Sequence, residues 1–185
     1  MSGDYTKVIF ARDGDAPAPD RVGRTLRWTT AADDPQAFRS VMLAILEGSL
    51  DRHDRWATAT LGAHEAARRY LEPAVSHFVR DQSGWETAWD GASPVGLVQP
   101  LLYVDGQKEE RPMGTIGYIG VVPERRGNGY ILDLLQRATG SLLGRHVWRI
   151  FCDTDTENHP MISAFERLGY TRGNVRAIPL QGWSP

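Results

Sequence analysis

Cysteine is almost absent from this sequence: Cys152 is the only one among 185 residues. A single cysteine excludes a disulfide within the chain, and the lack of disulfides is typical of proteins in a reducing compartment. Long apolar runs are also lacking, so no membrane span is expected. The N-terminal stretch "MSGDYTKVIFARDGD" carries acids early and has no apolar segment of the kind that a signal peptide needs. We therefore expect a cytoplasmic protein with no membrane partner.

A surplus of basic charge is absent as well. The formal net charge is -2 at pH 7, and no run of basic residues offsets it, so a nucleic-acid partner is not expected. No group of His, Cys and Asp residues has the spacing of metal ligands, and we predict no metal. Hydrophobic residues make up 41% of the chain and charged residues 24%. This composition is typical of a soluble globular protein, and the length suits one domain.

Turn-forming residues dominate the N-terminal part of the chain. Residues 11–24, "ARDGDAPAPDRVGR", are rich in Pro, Gly, Asp and Arg. They predict an exposed arm over residues 1–24, in which "KVIF" allows a short edge strand. We expect a single domain over residues 25–185. That domain begins with a strand at "TLRWTT" and a helix that Asp33 or Asp34 caps, with Pro35 in its first turn.

The rest of the chain alternates between helical and strand-like patterns. After a polar link, "EGSLDRHDRWAT", apolar residues at helical spacing predict a second helix over roughly residues 60–80. Three runs of β type follow and predict three consecutive antiparallel strands. A helix over about residues 130–143, a strand at "HVWRIFCDTD", a short helix opened by Pro160 and one or two last strands complete the order. This order predicts an α/β fold of the α+β type, in which helices flank a mixed, mostly antiparallel sheet.

A glycine-rich junction, "RRGNGYIL" at residues 125–132, separates the third of those strands from the next helix. Glycines at a helix N-terminus expose backbone N–H groups, which favour an anion such as phosphate. The dinucleotide fingerprint does not fit, because Leu132 stands at its third glycine, and the Walker A pattern lacks its Gly-Lys-Ser/Thr. Three consecutive antiparallel strands also argue against a dinucleotide-binding oxidoreductase. By itself, the junction is equally a simple turn.

A further template fits two stretches at once. "VVPERRGNGY" resembles the Arg/Gln-x-x-Gly-x-Gly/Ala pyrophosphate loop of the GNAT superfamily of acyl-CoA-dependent N-acyltransferases, with Arg126 and Gly129 in register. "NHPMISAFERLGY" resembles that family's Asn-x-x-Ala-x-x-x-Tyr-x-x-x-Gly-Phe/Tyr segment, with Asn158, Gly169 and Tyr170 in register. The resemblance covers residues 113–170 of the sequence. The predicted order of elements also matches the GNAT fold.

The resemblance implies transfer of an acetyl group from acetyl-CoA to an amine, on a small molecule or a peptide, by direct attack in a ternary complex. In this family the strand before the loop binds the pantetheine arm through main-chain groups, a role that falls here on Ile119, Val121 and Val122. The Ile119 amide would also stabilise the oxyanion. Asn158 would lie beside the pantetheine or the acetyl group, or cap the following helix. The residues implied to hold the pyrophosphate are Arg126, Gly127, Asn128, Gly129, Tyr130 and Ile131.

Two positions depart from the family pattern. Phe165 stands where many members have a tyrosine that protonates the leaving thiolate, and Thr115 stands where some have a glutamate that acts as general base. An amine of high pKa must lose a proton before it attacks, so another base is needed. Asp153 and Asp155 are the candidates, because alternate residues of a strand share one face; the alternative is that they are solvated acids at a strand end. Weaker candidates are Tyr118, Glu109, Glu110, His53, His64, His77 and His159.

Three further points concern the function, the single cysteine and the oligomeric state. The missing proton-transfer groups also fit an acyl-CoA-binding sensor or interaction module without turnover. Cys152 lies mid-strand with no evident His partner, which favours a buried structural thiol over a nucleophile. The last strand, if it is exposed, allows two copies to pair as a homodimer.

Overall fold

Helices cover both faces of one mixed sheet. The computed structural model describes residues 5–19, 23–72, 76–79 and 81–178. Within these ranges the helices are α1 (Pro35–Glu47), α2 (Arg52–Leu61), α3 (Ala63–Leu71), α4 (Tyr130–Leu143) and α5 (His159–Arg167). The strands are β1 (Tyr5–Asp13), β2 (Arg27–Thr30), β3 (Glu86–Asp90), β4 (Ser93–Leu102), β5 (Met113–Val121), β6 (Arg149–Asp155) and β7 (Thr171–Ile178).

The sheet has the strand order β2-β3-β4-β5-β6-β1-β7. The predicted antiparallel series is confirmed, since β3 pairs with β4 and β4 with β5 in that sense. β5 and β6 are parallel and pair at two positions only, Met113 with Arg149 and Gly114 with Ile150. Beyond those positions the two strands separate. The sheet is therefore split along most of the boundary between β5 and β6.

A bulge interrupts the pairing of β4 with β5 close to this split. Gln99 pairs with Tyr118, but the next residue, Pro100, pairs with Ile116, so Gly117 has no partner. Proline lacks an N–H group and cannot donate to the ladder, which explains why the register shifts at Pro100. A Cβ on Gly117 would lie 2.4 Å from the Leu101 side chain. A side chain at position 117 would therefore require the Leu101 side chain to move.

Two apolar clusters lie on opposite faces of the sheet. Adjacent residues of β4 and β5, such as Leu97 and Val98 or Tyr118 and Ile119, belong to different clusters, because successive side chains of a strand point to opposite faces. One cluster packs α4 and α5 against the sheet, and the other packs α1 and α3 against it. Burial of these helix faces is the main stabilising contribution to the fold. Large side chains in them include Leu134, Leu135 and Phe165 in the first cluster and Phe38, Met42 and Trp85 in the second.

Local capping explains where the helices begin and end. Asp34, rather than Asp33, caps α1: its carboxylate accepts a hydrogen bond from the amide of Ala37 at 2.9 Å. The sequence predicts a helix over residues 130–143, and α4 has those limits, with Gly144 at its C-terminal cap. The apolar periodicity and the glycine at the C-terminal end were sufficient signals for this element.

The first strand corrects a prediction. The sequence predicts a short edge strand within an arm, but β1 spans nine residues and lies between β6 and β7. Tyr5, Val8 and Phe10 are buried, and Arg12 is buried with them because its guanidinium donates to the carbonyl of Leu168 at 2.9 Å. A charged residue such as Arg12, among other polar residues, is not typical of an inner strand, so the sequence did not predict that β1 lies inside the sheet. Tyr5–Asp13 therefore belong to the sheet.

The region between α1 and β3 differs as well. Most of the predicted polar link is helix α2, and the helix predicted over residues 60–80 is instead α3, which ends at Leu71. The break between α2 and α3 falls at Gly62, whose φ of +82° no helix can contain. Residues 73–75 and 80, at the end of the predicted helix, lie outside the described residues. Residues 76–79 include Phe78, which forms a β-bridge with Tyr103.

Candidate functional site

A cleft opens where β5 and β6 separate, and its volume is about 700 Å³. One end, which we call the loop end, is bounded by residues 125–127, Gly129 and the start of α4. The other end, which we call the helix end, is bounded by side chains of β1, α2 and α3. The walls between the two ends include Ile116, Ile119, Val121, Phe151, Cys152, Met161 and Phe165.

Backbone geometry at the loop end requires glycine at two positions. Gly127 and Gly129 have φ of +77° and +78°, in the left-handed region that other residues rarely adopt. A Cβ at Gly127 would meet no atom within 4 Å, so the loop surface is open. No side chain caps the first turn of α4, and the partial positive charge of its N–H groups faces outward. This geometry suits an anion such as phosphate.

The Arg126 side chain holds this loop against the neighbouring backbone. The resemblance implies that the Arg126 side chain contacts the pyrophosphate, but in the structure the guanidinium donates to the carbonyl oxygen of Val121 at 3.1 Å and to that of Gly48. These bonds tie the loop to β5 and to the end of α1. Arg125 also lines the cleft, and in the described part of the chain it forms no ion pair with a carboxylate. Sequence alone cannot distinguish the two arginines, because both precede the same glycine.

The remaining loop residues divide into lining and supporting groups. Tyr130 and Ile131 line the cleft, and Ile131 also packs against the core on the α4 side. Asn128 does not line it: its side-chain amide donates to the carbonyls of Arg125 and Arg126 at 3.2 and 3.0 Å. The Tyr130 hydroxyl donates to Asp90. The loop is therefore held by its own side chains.

One supporting residue was missed by sequence reasoning. Arg24, at the end of the predicted arm, donates to the carboxylate of Asp133 at 2.6 Å and to the carbonyl of Asn128. Its guanidinium also lies 4.7 Å from the centre of the Tyr130 ring. Arg24 and Asp133 are distant in sequence and no local pattern connects them, so only the folded structure reveals the contact.

The three strand residues predicted to meet the pantetheine arm do not all face the cleft. Ile119 and Val121 line it, but Val122 does not. The Val122 side chain belongs to the core on the α1 side, and its amide donates to the carbonyl of Val95 at 3.0 Å. The main-chain N–H of Val122 is thus already bonded within the sheet, and a contact of Val122 with the pantetheine arm stays a prediction.

Helix α5 contributes Asn158 and Phe165 to the cleft walls. Asn158 also caps α5, since its side-chain oxygen accepts from the amide of Met161 at 3.4 Å. Phe165 is packed in the core, with its ring centre 4.8 Å from that of Phe10 and 5.0 Å from that of Tyr170. Phenylalanine has no acidic proton, so Phe165 cannot protonate a leaving thiolate.

The two candidate bases on β6 are both held by cations. The Asp153 carboxylate accepts from the Lys7 ammonium at 2.7 Å. Asp155 is fully buried, does not line the cleft and accepts from the Arg52 side chain at 2.8 and 2.9 Å. Burial alone would raise the pKa of Asp155, but the bonds from Arg52 and from the amide of Glu157 lower it. In the structure Asp155 is thus the buried ion-pair partner of Arg52.

A cluster of polar side chains at the helix end was missed. Asp54, on α2, accepts hydrogen bonds from the hydroxyls of Tyr118 at 2.8 Å, Tyr70 at 2.5 Å and Ser49 at 2.6 Å. Burial, together with the charge of Asp54, raises the pKa of Tyr70 and of Tyr118 well above the usual value, so both phenols stay protonated. The segment that forms α2 was predicted to be a polar link, so Asp54 was not predicted to lie on a helix or to line a site.

Two neighbours of Asp54 also line the helix end. Asp51 caps α2 by accepting from the amide of His53 at 2.8 Å. Burial, and then the charge of Asp54, raises the pKa of Asp51. Burial, and then the charge of Lys7, lowers the pKa of His53, so its imidazole is neutral at pH 7. The His53 ring stacks on Tyr5 and its Nδ1 lies 3.3 Å from the Tyr70 hydroxyl.

Cys152 lies in the cleft wall as a buried thiol. Burial raises its pKa to about 12, so it is protonated at neutral pH and is a poor nucleophile.

The weaker candidates are dispersed. Of His64, His77, His159, Glu109 and Glu110, only His77 lines the cleft. Among the described residues there is no group of three or more His, Cys, Asp or Glu side chains that could hold a metal ion. No helix in the described ranges has the length and apolarity needed to cross a bilayer.

Comparison with known proteins agrees with this geometry. The model of the acetyltransferase (GNAT) family matches residues 44–170. A mycothiol acetyltransferase of Thermobispora bispora is 26% identical over 160 residues, which are 86% of this chain and 50% of that protein. The chain thus spans about half the length of this curated relative.

Two solved structures share the fold. An N-acetyltransferase from Sphaerobacter thermophilus is 19% identical with a TM-score of 0.59, over 97% of this chain and 53% of that one. A chain of the NatC complex bound to Gag peptide and CoA is 19% identical with a TM-score of 0.59, over 82% of this chain and 87% of that one.

Proposed function

Because this chain belongs to the acetyltransferase (GNAT) family, we propose that it transfers the acetyl group of acetyl-CoA to an amine by direct attack in a ternary complex. The observation that carries the proposal is the cleft between β5 and β6. It joins an anion-binding loop at one end to a buried polar cluster at the other. A donor and an acceptor entering from opposite ends would meet beside Ile119.

The loop end fits the donor. Acetyl-CoA supplies the activated thioester, and its pyrophosphate is the group that the open amides of Gly127–Ile131 suit. Arg125 adds a guanidinium in the cleft lining, while Arg126 keeps the loop in place. The separation from β6 leaves the edge of β5 that faces β6 without a neighbouring strand over most of its length. An extended pantetheine arm can bond to such an edge.

Catalysis would come mainly from positioning and from one amide. The Ile119 N–H is the proposed donor to the oxyanion, a contribution of about 3–4 kcal/mol for one such group. Asn158 lies in the opposite wall and is proposed to orient the arm. Tyr70 and Tyr118 are not proposed as acids in place of Phe165, because their raised pKa values make them poor proton donors. A thiol with a pKa of about 8.5 can leave as the thiolate without a protein acid.

The acceptor is proposed to enter at the helix end, where α2 and α3 line the cleft. An amine on a small molecule or a peptide suits this end, because its lining combines aromatic rings with carboxylates. The similarity to a mycothiol acetyltransferase supports a small-molecule acceptor. We further propose a cytoplasmic location.

Strand β7 lies at the sheet edge, and most of its residues are exposed. This supports the proposal that two copies pair as a homodimer. The packing of β2–β7 and α1–α5 on one sheet supports a single domain over residues 25–185, to which β1 is joined.

Calorimetry with CoA and a thiol-release assay test this function. The assay would use acetyl-CoA with an amino sugar, a dipeptide, a polyamine and benzylamine. Gly129→Glu places a negative side chain on the loop, and Gly91→Glu is its matched control, because Gly91 also has a positive φ of +60° but does not line the cleft. We expect Gly129→Glu to lose CoA binding and Gly91→Glu to retain it.

Two outcomes would contradict the proposal. Equal CoA affinity of Gly129→Glu and the wild type would refute the placement of the phosphates. Tight CoA binding with no thiol release from any amine class would instead support a sensor or interaction module.

A further inference from the structure

Four carboxylates surround the helix end of the cleft, and three of them are occupied. Asp153 is paired with Lys7, and Asp155 with Arg52. Both oxygens of Asp54 accept hydrogen bonds, Oδ1 from Tyr70 and Oδ2 from Tyr118 and Ser49. A carboxylate engaged in this way has little capacity left to accept a proton from a substrate.

Asp51 differs from these three. Its Oδ1 accepts one bond, from the amide of His53 at 2.8 Å. In the described part of the chain, its Oδ2 has no hydrogen-bond partner, and no basic side chain lies within ion-pair distance. Asp51 also lines the cleft, whereas Asp155 does not. It is therefore the carboxylate whose lone pairs are available to a molecule in the cleft.

The surroundings of Asp51 favour its protonated form more than water does. Burial contributes most to the raised pKa, and the nearby charge of Asp54 adds to it. A carboxylate of raised pKa is a better match to an ammonium group than an ordinary one, because proton transfer becomes less unfavourable. The titratable and charged groups that face Asp51 are Tyr5 and Lys7 on β1, Arg52, His53 and Asp54 on α2, Tyr70 on α3, Tyr118 on β5 and Asp155 on β6.

We propose that Asp51 is the general base that takes the proton from the acceptor amine, and that Asp54 is a positioning residue that holds Tyr70 and Tyr118 beside it. This inference rests on the proposed function. The link to the reaction centre is Tyr118, which is bonded to Asp54 and directly precedes Ile119 on β5. The same hydrogen bond therefore fixes α2, with Asp51 at its first turn, against the strand whose amide faces the acetyl group.

The proton balance of the step is simple. An N–H bond of the substrate ammonium breaks, and its proton joins a carboxylate oxygen of Asp51. The freed lone pair forms the C–N bond to the acetyl carbon, while the C–S bond breaks and its electron pair leaves on sulfur. The second proton that nitrogen loses ends on the thiolate, and Asp51 returns the first to solvent. The products are the amide and the free thiol of CoA.

His53 is the competing base at this end, since its imidazole is neutral. Its ring lies between Tyr5 and Trp56, with ring centres 5.7 and 5.8 Å away, and its Nδ1 faces the Tyr70 hydroxyl. Its lowered pKa makes it a weaker base than free histidine. We therefore assign the proton to Asp51 and use a His53 variant as the comparison.

Asp51→Asn is the informative variant, because asparagine is an equally good N-cap and the helix start is preserved. Asp34→Asn is the matched control: Asp34 caps α1 in the same manner, outside the cleft. The assay uses two acceptors of nearly equal shape. Benzylamine is protonated at neutral pH and needs a base, whereas O-benzylhydroxylamine is neutral there and does not.

For benzylamine we expect Asp51→Asn to lower kcat/KM by about 100-fold or more, the usual contribution of a general base. For O-benzylhydroxylamine we expect kcat/KM to stay near the wild-type value, and CoA affinity to be unchanged. The rise of kcat/KM with pH that marks a carboxylate in the wild type should be missing in Asp51→Asn and restored in Asp51→Glu. Asp34→Asn should behave as the wild type with both acceptors, and any loss in His53→Gln should be equal for the two acceptors.

Equal losses with the two acceptors would show a structural role and overturn the inference. So would a benzylamine loss confined to His53→Gln. Absence of thiol release by the wild type with these two acceptors and with every other amine class of the assay would overturn the proposed transfer, and the role of Asp51 with it.

Discussion

Arg24 and Asp133 lie 109 residues apart in the sequence and form an ion pair of 2.6 Å at the start of α4. Asp133 is in the first helical turn and its side chain is 3% exposed. A negative carboxylate there weakens the attraction of the helix N-terminus for a phosphate. Arg24 neutralises it, and also holds the carbonyl of Asn128 in the loop. The segment before β2 is thus a support of the donor site.

The first prediction concerns this pair. Arg24→Ala removes the bonds that Arg24 donates to the Asp133 carboxylate and to the loop carbonyl of Asn128, so we expect CoA to bind about tenfold more weakly, which corresponds to about 1.4 kcal/mol. The free energy of unfolding should also fall, by roughly 1–3 kcal/mol. Calorimetry with CoA and urea denaturation measure the two effects.

A double variant separates charge from shape. Arg24→Ala with Asp133→Asn removes both charges, and we expect it to recover most of the lost affinity. Arg27→Ala is the matched control. The Arg27 guanidinium lies 4.6 Å from the centre of the Trp89 ring, and neither residue lines the cleft. Binding by the double variant as weak as that of Arg24→Ala alone would show that charge is not the cause.

The second prediction concerns Asp155 and Arg52. Asp155→Asn should lower the free energy of unfolding by about 1–3 kcal/mol at neutral pH, because it breaks the charge-assisted bonds to Arg52. The pKa of Asp155 is lowered in the folded protein, so its stabilisation is present above the ordinary pKa of 3.8 and is lost as the pH falls through the lowered value. The difference between wild type and variant should therefore shrink in acid, which urea denaturation across pH would show.

Asp153→Asn provides the comparison for Asp155. Its carboxylate is 38% exposed and pairs with Lys7 near the surface, so removal of the charge should cost at most about 1 kcal/mol. If Asp153→Asn destabilised the protein more than Asp155→Asn, the assignment of Asp155 as the structural partner would fail.

The third prediction concerns Cys152. Since burial raises its pKa to about 12, the thiol should carry no acetyl group after incubation with acetyl-CoA alone, as mass spectrometry would test. Cys152→Ala should keep acetyl transfer within a few-fold of wild type. A stable adduct on Cys152 would instead establish a covalent intermediate and contradict direct attack.

Periodicity and caps were enough to predict much of the fold. The apolar stripe of α4, its flanking glycines and the runs of β3–β5 are local signals, and each predicted the element that the structure contains. Where a charged residue is buried by a distant partner, local signals fail. Arg12 is the example, since its carbonyl partner Leu168 lies 156 residues away and the strand it belongs to was placed at an edge.

The site was predictable in its glycines and less so in its polar groups. Gly127 and Gly129 have positive φ, which glycine adopts most readily, so the two glycines in the sequence indicate this backbone conformation directly. The bonds of Asp54 to Tyr70 and Tyr118 span 16 and 64 residues, and the direction of the Arg126 side chain depends on the end of α1. Such relations arise only when separate elements pack.

The two-position contact between β5 and β6 has a mechanical consequence. It divides the seven described strands into two half-sheets, β2–β5 and β6-β1-β7, that meet at Met113–Gly114 and Arg149–Ile150. A rotation of one half about that short hinge hardly moves the hinge residues themselves. The distance that changes most in such a rotation is the one between the far end of β5, with its glycines, and the far end of β6, near Asn158. Small angular changes there act on the width of the cleft while the paired strands within each half keep their hydrogen bonds.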